Sequence, residues 1–524
     1  MIYTSPFPQI NIPEVPLHQY VLRRAMELKD QPAIIDGPSG RTLTYGQIAG
    51  GARLVASSLS KRGFGQGEVF AIWMPNIPEY ALPFLAVSML GGINTTINSL
   101  YTPDEANYQL KDTTAKYLVT IPQFMERAVP AVKGTNVQEI FVMGEAEGAT
   151  PFTSLMQSDG QLPQVTINPS QDLVVLPYSS GTSGRAKGVM LTHKNLIAQM
   201  EQVGATGVFE NNDTVMGVLP FYHIYGMVLI LLLSLAKGNK VITIPRFDLE
   251  LFLQVMEKYE VTIAPLVPPI VLALAKHPLV DKFNLSELRT ITSGAAPLGA
   301  DLEMACMRRL NCIVLQGYGL TEVSAASHIN PGDPEQIRHG SVGFILPQME
   351  CKVVEPETGA EVMAGLPGEI CVRGPNRMLG YLNNPEATAS TIDADGWLHT
   401  GDIGFVDEDG YFYVVDRVKE LIKYHAFQVA PAELEAVLIT HPMVADCAVI
   451  GHMDPEEGEV PKAFVVLKGE TTSEELMMYV AERVAPFKKI RQVEIIDMIP
   501  KSASGKILRR ILVEKDRAVT PSKV

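Results

Sequence analysis

Five short apolar runs, 215–219, 241–244, 261–264, 290–292 and 313–315, constrain the fold of this chain more than any other feature, because each is followed by turn or helix signals. Runs this short, bounded by breakers, read as strands buried on both faces, and such strands joined by helical segments assemble into a mostly parallel sheet. The same alternation occurs earlier, with a strand-like run at 69–74 and a helical pattern at 79–90. The 524 residues exceed one core and divide into two to four units, so the expected fold class is α/β with two similar parallel-sheet halves.

After about residue 340 glycine and proline punctuate short alternating strands such as 369–373, which predicts a small β subdomain. Asp409-Gly410, between 404–406 and 411–415, is a hairpin signal that closes it. A further unit begins near Asp416, with strands expected at 443–450 and 463–467. Thr472-Ser473-Glu474-Glu475 offers an N-cap for an amphipathic helix running to about 484. The domain boundary is placed at 416–419, giving an N-terminal domain over 1–416 and a smaller α+β domain over 417–524.

A net charge of −15 argues against nucleic acid as a partner, since phosphate neutralisation needs a basic face. Five scattered cysteines without a Cys-x-x-Cys pair argue against a disulfide framework and a zinc site, and point to a reducing, cytoplasmic setting. The longest apolar run, 227–236, is about half the ~20 residues that span a membrane, so it is expected to be a core helix. Residues 1–16 lack the basic and apolar segments of a signal peptide, and Ser522-Lys523-Val524 fails at its last residue as a peroxisomal address.

Chemistry concentrates at Tyr178-Ser179-Ser180-Gly181-Thr182-Ser183-Gly184-Arg185-Ala186-Lys187-Gly188. Glycines let successive N–H groups converge on phosphate oxygens, hydroxyls add donors, and Lys187 adds a point charge. With a strand at 173–176 and a helix start at 192–199, the loop is expected at a strand-to-helix junction. It is not a P-loop, because Lys187 precedes Gly188 and no hydroxyl follows.

Four further segments stand at predicted strand ends or junctions. Phe221-Tyr222-His223-Ile224-Tyr225-Gly226 could aim His223 into a cleft, and Gln316-Gly317-Tyr318-Gly319-Leu320-Thr321-Glu322 could hold a purine, phosphate and Mg2+. Asp402, between Gly401 and Gly404, could accept ribose hydroxyls, while Arg417, Lys419 and Lys423 cluster at the boundary. Lys506 follows a Ser/Gly turn and precedes a basic helix. Taken alone, each is equally a turn, a packed strand end or a solvated face.

Taken together, in order and spacing from Ser179 to Lys506, these motifs resemble the adenylate-forming family of acyl-CoA synthetases, luciferases and peptide-synthetase adenylation domains. Tyr45-Gly46-Gln47 and Pro75-Asn76 are similar to the family's N-terminal region, and 221–225, 417–423 and 428–435 look most like 4-coumarate and cinnamate CoA ligases. The resemblance implies a small mobile C-terminal domain that turns about a hinge near Lys419 between two half-reactions. A carboxylic acid and ATP first give acyl-AMP and pyrophosphate, and a thiol, usually CoA, then displaces AMP.

Carried over onto matching positions, Ser179, Ser180, Gly181, Thr182, Ser183, Gly184 and Lys187 would hold the β- and γ-phosphates, and Gln316, Gly317 and Tyr318 would frame adenine. Thr321 would meet the α-phosphate, Glu322 and Thr182 the Mg2+, and Asp402 and Arg417 the ribose. His223 would close the acyl pocket, which Tyr225, Gly226, Gly294, Ala295, Gly317, Ala325 and Ala326 would line. Lys506 would stabilise charge on the transferring phosphoryl group, after which Lys423 and Gln428 would stay near AMP. Arg246, His425 and Ala426 would face CoA. Related ligases carry Lys-Gly at the positions of His425 and Ala426, along the pantetheine tunnel, so the chain departs from the pattern there.

These implications describe an AMP-forming ligase that acts on a cinnamate-like acid, as a monomer or homodimer with no fused carrier domain. Three alternatives stay open at this level: a medium- or long-chain fatty acid as substrate, a non-CoA acceptor, and a nucleotide-sensing module without turnover.

Overall fold

The computed structural model describes residues 1–179, 185–417, 420–424, 427–454, 457–502 and 505–519, with 427–428 and 518–519 described through their backbone alone. All five apolar runs fall in one nine-stranded sheet. Its parallel core runs, side by side, Ile313–Tyr318, Thr290–Ser293, Ile263–Leu266, Thr214–Gly217, Lys240–Thr243 and Pro32–Asp36. The third strand begins later than the apolar run at 261, because the Val261 N–H is spent on Met256 O at the end of the preceding helix and the ladder starts with Thr262. Short antiparallel strands, Thr42–Thr44 at one edge and His328–Ile329 with Phe344–Ile345 at the other, complete the sheet.

A second, eight-stranded sheet supplies the other α/β half. Leu173–Ser179, Ile93–Thr96, Val69–Trp73, Tyr117–Thr120, Glu139–Val142 and Thr150–Pro151 are parallel neighbours. Strand alternation serves two cores here: Phe70 and Ile72 join the main one, while Val69, Ala71 and Trp73 pack with Leu118 and Val142 on the opposite face. The helix Ala81–Met89 is apolar all round because its residues from Ala81 to Ser88 are all buried.

The structure corrects the expected setting of the glycine-rich segment. Residues 187–192 form a strand, Lys187–Thr192, that pairs antiparallel with Leu173–Ser179, and the helix His193–Gly204 starts only after it. The strand thus lies between the segment and the helix; Thr192, which caps the helix through a reciprocal box with Asn195, stands at the far end of that strand. The apolar run at 227–236 is helical and buried as expected, but it opens as a π-helix, Tyr225–Leu232, before becoming the α-helix Leu233–Lys237.

The β subdomain is an antiparallel sheet in the order Tyr3–Thr4, Glu350–Val354, Gly368–Arg373, Leu398–Val406 and Phe412–Arg417. Asp407 makes the turn at Asp409-Gly410 by accepting the N–H groups of Asp409 and Tyr411. The C-terminal unit has its own sheet, Phe427–Val429, Ile422–Tyr424, Gly458–Leu467 and Val444–Asp454, with Gln492–Ile495 parallel to the long central strand. Val429, Leu434, Val449, Val465 and Leu476 form its separate core. Thr472 and Glu475 make the expected capping box, and the helix Ser473–Ala481 stops short of 484 as the chain turns toward Pro486.

This unit packs against the larger one at several points. Lys276 Nζ donates to Ile439 O at 3.1 Å, Asp416 accepts the Ala432 N–H at 2.9 Å, and Gly505 lies against Val267 and Pro269. Among the described residues no helix is long and apolar enough to cross a membrane.

Candidate active site

Strand ends of both large sheets, the β subdomain and one turn of the C-terminal unit supply the candidate site. Asp402 and Arg417 are directly opposed on adjacent antiparallel strands, and Arg417 Nε lies 3.1 Å from Asp402 Oδ1. From the end of its own strand Tyr318 donates its hydroxyl to Asp402 Oδ2 at 2.6 Å. Burial pushes the Asp402 carboxyl above the usual range against the opposing pull of Arg417 and the Tyr318 hydroxyl. Burial also draws on Arg417, but Asp402 and Glu420 outweigh it and hold the guanidinium charged. Among the described residues each Asp402 oxygen has one partner, and a carboxylate oxygen has two lone pairs, so the carboxylate can still accept from a vicinal diol.

The turn before Asp402 is braced from below. Glu369 accepts the Gly401 N–H at 2.9 Å through Oε1, and its Oε2 holds His399 Nδ1 at 2.9 Å. No local pattern announces this brace, since the partners lie 30 and 32 positions apart on neighbouring strands.

Lys506 arrives from the other unit. Its turn is closed by Ser502, whose N–H donates to Lys506 O at 2.8 Å and whose Oγ accepts the Lys506 N–H at 3.1 Å. Gly505 has φ +76°, and a Cβ there would stand 3.1 Å from Val267, so the turn seats flush on the larger domain. Burial, then the Arg417 charge, lowers the Lys506 ammonium to about 8, with Asp402 and Glu420 opposing the shift.

His223 lies within the electrostatic influence of the same ammonium. Its Nδ1 accepts the Tyr225 N–H at 3.4 Å, which leaves Nε2 as the donor, and burial followed by the Lys506 charge pushes it down to about 4. A neutral imidazole N–H beside an ammonium is suited to orient a carboxylate. Tyr225 is pinned by its hydroxyl to Thr292 Oγ1 at 3.0 Å and Thr292 O at 3.2 Å. Gly294 makes room for that ring, for a Cβ at 294 would lie 3.0 Å from Tyr225 Cε1. Ala295, next to Gly294, and Ser324 and Ala325, after the 316–322 segment, hold positive φ of 69°, 60° and 131°, the kind of backbone strain that clusters at functional sites.

At the opposite end Glu322 is buried, and its Oε1 accepts both the Ser179 hydroxyl at 3.0 Å and the Tyr381 hydroxyl at 2.8 Å. Oε2 accepts no hydrogen bond from the described residues. A carboxylate oxygen in this hydroxyl-rich corner fits a hard divalent cation. Lys187 stands 4.7 Å over the Tyr381 ring.

The structure brings together Ser179, Lys187, Glu322, Tyr318, Asp402, Arg417, His223, Tyr225, Gly294 and Lys506 through these contacts. Gln316 is committed elsewhere: its amide donates to Glu303 at 2.7 Å and accepts the Leu298 N–H at 3.2 Å, so only its backbone is left to frame a base. The small size of Gly226 serves packing instead of cavity space, because a Cβ there would sit 2.2 Å from Pro220 O. Arg246 is exposed in the loop after Lys240–Thr243, and Lys423 is exposed opposite Gln428 in the hairpin register. Ser180, Gly181, Thr182, Ser183, Gly184, Lys419, His425 and Ala426 lie outside the described residues.

Comparison with known proteins supplies an independent reading of the same arrangement. The family described as AMP-binding enzyme matches residues 21–382, and that described as AMP-binding enzyme C-terminal domain matches 433–506. The chain is 44% identical over 524 residues to 4-coumarate–CoA ligase 1 of Petroselinum crispum, covering 98% of this chain and 96% of that protein. Its fold is similar, with a TM-score of 0.90 and 28% identity, to the crystal structure of the anthranilate CoA ligase AuaEII in complex with anthranoyl-AMP, over 96% and 98% of the two chains. The amide bond synthetase McbA from Marinactinospora thermotolerans is similar at a TM-score of 0.84 and 26% identity, over 95% and 100%.

Proposed function

This chain belongs to the AMP-binding enzyme family and is an AMP-forming acid–thiol ligase, and we propose that it carries a 4-coumarate-type acid through acyl-AMP to a CoA thioester. One observation carries the reading: Lys506, from the C-terminal unit, sits in the electrostatic reach of Asp402, Arg417 and His223. That supports a reading in which the Lys506 cation serves the α-phosphate, with Asp402 as the acid that would bind the diol and His223 as the imidazole that would orient the carboxylate.

A carboxylate is a poor nucleophile toward an anionic phosphate, so alignment and positive charge must supply most of the catalysis. His223 would donate Nε2–H to one carboxylate oxygen and direct the other at phosphorus. Asp402, held by Arg417 and Tyr318, would fix the ribose; Thr321 would meet the α-phosphate; and Lys506 would offset the charge that builds as the bond to pyrophosphate breaks. Ser179 and Lys187 would grip the departing pyrophosphate. Glu322 would hold Mg2+, which when bound draws charge from the phosphates. The small residues Gly294 and Ala326, with Tyr225, support a flat aromatic acid.

For the second step we assign residues 1–416 to a fixed domain and 417–524 to one that turns near Lys419, withdrawing Lys506 and bringing the hairpin of Lys423 and Gln428 toward AMP. The exposure of Lys423 in the present arrangement is consistent with a task performed in the other. The five cysteines are free and buried, which supports a reducing, cytoplasmic location.

Acid-dependent exchange of pyrophosphate into ATP tests the assignment: Lys506→Ala is expected to abolish it, and retained exchange would overturn the reading. A ranking of 4-coumarate and cinnamate above octanoate in kcat/KM is expected, and the reverse order assigns a fatty acid instead. A second reading, transfer to an amine or another non-CoA acceptor, is favoured by His425 and Ala426 in place of Lys-Gly. It gains if CoA fails to raise AMP release in the presence of acid and ATP.

A further inference from the structure

We infer that Tyr381 is a positioning residue for the pyrophosphate end of the site: its hydroxyl fixes which oxygen of Glu322 meets a divalent cation, and its ring seats Lys187. The inference rests on the roles given above to Glu322 and Lys187, and it concerns how those two are held.

Tyr381 ends a two-residue strand, Gly380–Tyr381, that extends the eight-stranded sheet by pairing with Lys187–Thr192, with Tyr381 opposite Val189. Lys187 is two positions along the same strand, so its side chain rises on the face that Val189 and Tyr381 share. The ammonium meets the ring face at 4.7 Å, a geometry in which the ring quadrupole attracts the charge. The Tyr381 backbone is itself fixed, since its N–H donates to Thr388 Oγ1 at 2.9 Å, and the side chain is buried.

Among the described residues both side-chain donors that reach the Glu322 carboxylate, from Ser179 and Tyr381, end on Oε1. Two hydrogen bonds on one oxygen hold the carboxylate in one setting and leave Oε2 as the oxygen for a cation. Without the Tyr381 hydroxyl the carboxylate could rotate about its last bond, and its two oxygens would exchange as ligands. One side chain thereby couples the cation ligand to the lysine that grips the same leaving group.

The test compares Tyr381→Phe, Tyr381→Leu and Glu322→Gln in the full-length enzyme. Mn2+ binding in the presence of ATP is read by electron paramagnetic resonance, ATP binding in EDTA by calorimetry, and thioester formation from a preformed acyl-adenylate as a cation-free measure of intact sites. Tyr381→Phe is expected to weaken Mn2+ binding about tenfold, leaving cation-free ATP binding and the thioester step unchanged. Tyr381→Leu is expected to weaken ATP binding in EDTA as well, because Lys187 loses its platform. Normal Mn2+ affinity in Tyr381→Phe beside a defect in Glu322→Gln overturns the inference alone. Normal affinity in both overturns the role of Glu322 with it, and an equal loss in the thioester step overturns the inference by showing general structural damage.

Discussion

Tyr318 donates its hydroxyl to Oδ2 of Asp402 at 2.6 Å while Arg417, across the sheet, holds Oδ1 at 3.1 Å. Removing one donor leaves a buried carboxylate that burial already pushes toward protonation. Tyr318→Phe is expected to raise the KM for ATP about tenfold, with the KM for the acid unchanged, in exchange kinetics.

Lys506, lowered to about 8, is charged below that pH and neutral above it. Adenylation should therefore hold steady to near pH 8 and then fall about tenfold per pH unit. Thioester formation from preformed acyl-adenylate should lack this limb. Lys506→Arg, whose guanidinium stays charged, should be slower but lose the alkaline fall; an unmoved limb would exclude Lys506 as its source.

Gly294 leaves no room for a methyl group beside Tyr225. Gly294→Ala is expected to displace the ring and raise the KM for an aromatic acid about tenfold, since a packed wall yields poorly to added volume. The KM for ATP should stay as it is, and steady-state kinetics separate the two.

Arg509 is partly buried between Glu435 at 2.7 Å and Glu420 at 2.6 Å, and also donates to Val449 O at 3.1 Å. Arg509→Ala strands two carboxylates, so urea unfolding should show a loss of about 3–5 kcal/mol in the C-terminal unit. Lysine cannot reproduce three directed donors, and Arg509→Lys should recover little of it.

The sequence was most readable where period and breakers act locally. The strands at 290 and 313, the Asp409-Gly410 hairpin and the Thr472 cap required only neighbouring residues. The antiparallel return of Lys187–Thr192 was missed because the run Lys187-Gly188-Val189-Met190-Leu191 has the composition of a helix approach, and only its pairing with 173–179 makes it a strand. The edge strand Tyr3–Thr4 depends likewise on Glu350–Val354, far along the chain. In the candidate site, the motif positions Asp402, Arg417 and Lys506 are named through the resemblance, and the structure gathers them. Tyr381, Glu369 and His399 lie in no such motif position and announce themselves only by the side chains and backbone they hold. Gln316 shows the reverse: a motif position whose side chain serves Glu303 and Leu298.

Gly505 seats on Val267 and Pro269 with less clearance than one methyl group needs. If Lys506 serves adenylation and its unit turns as proposed, that gap would work as a gauge between the two units, admitting Lys506 only when the surfaces meet squarely. The proposed chemistry would then be gated by a fit between protein surfaces, and an inhibitor wedged beside Val267 would be expected to stop the first half-reaction without touching ATP or the acid.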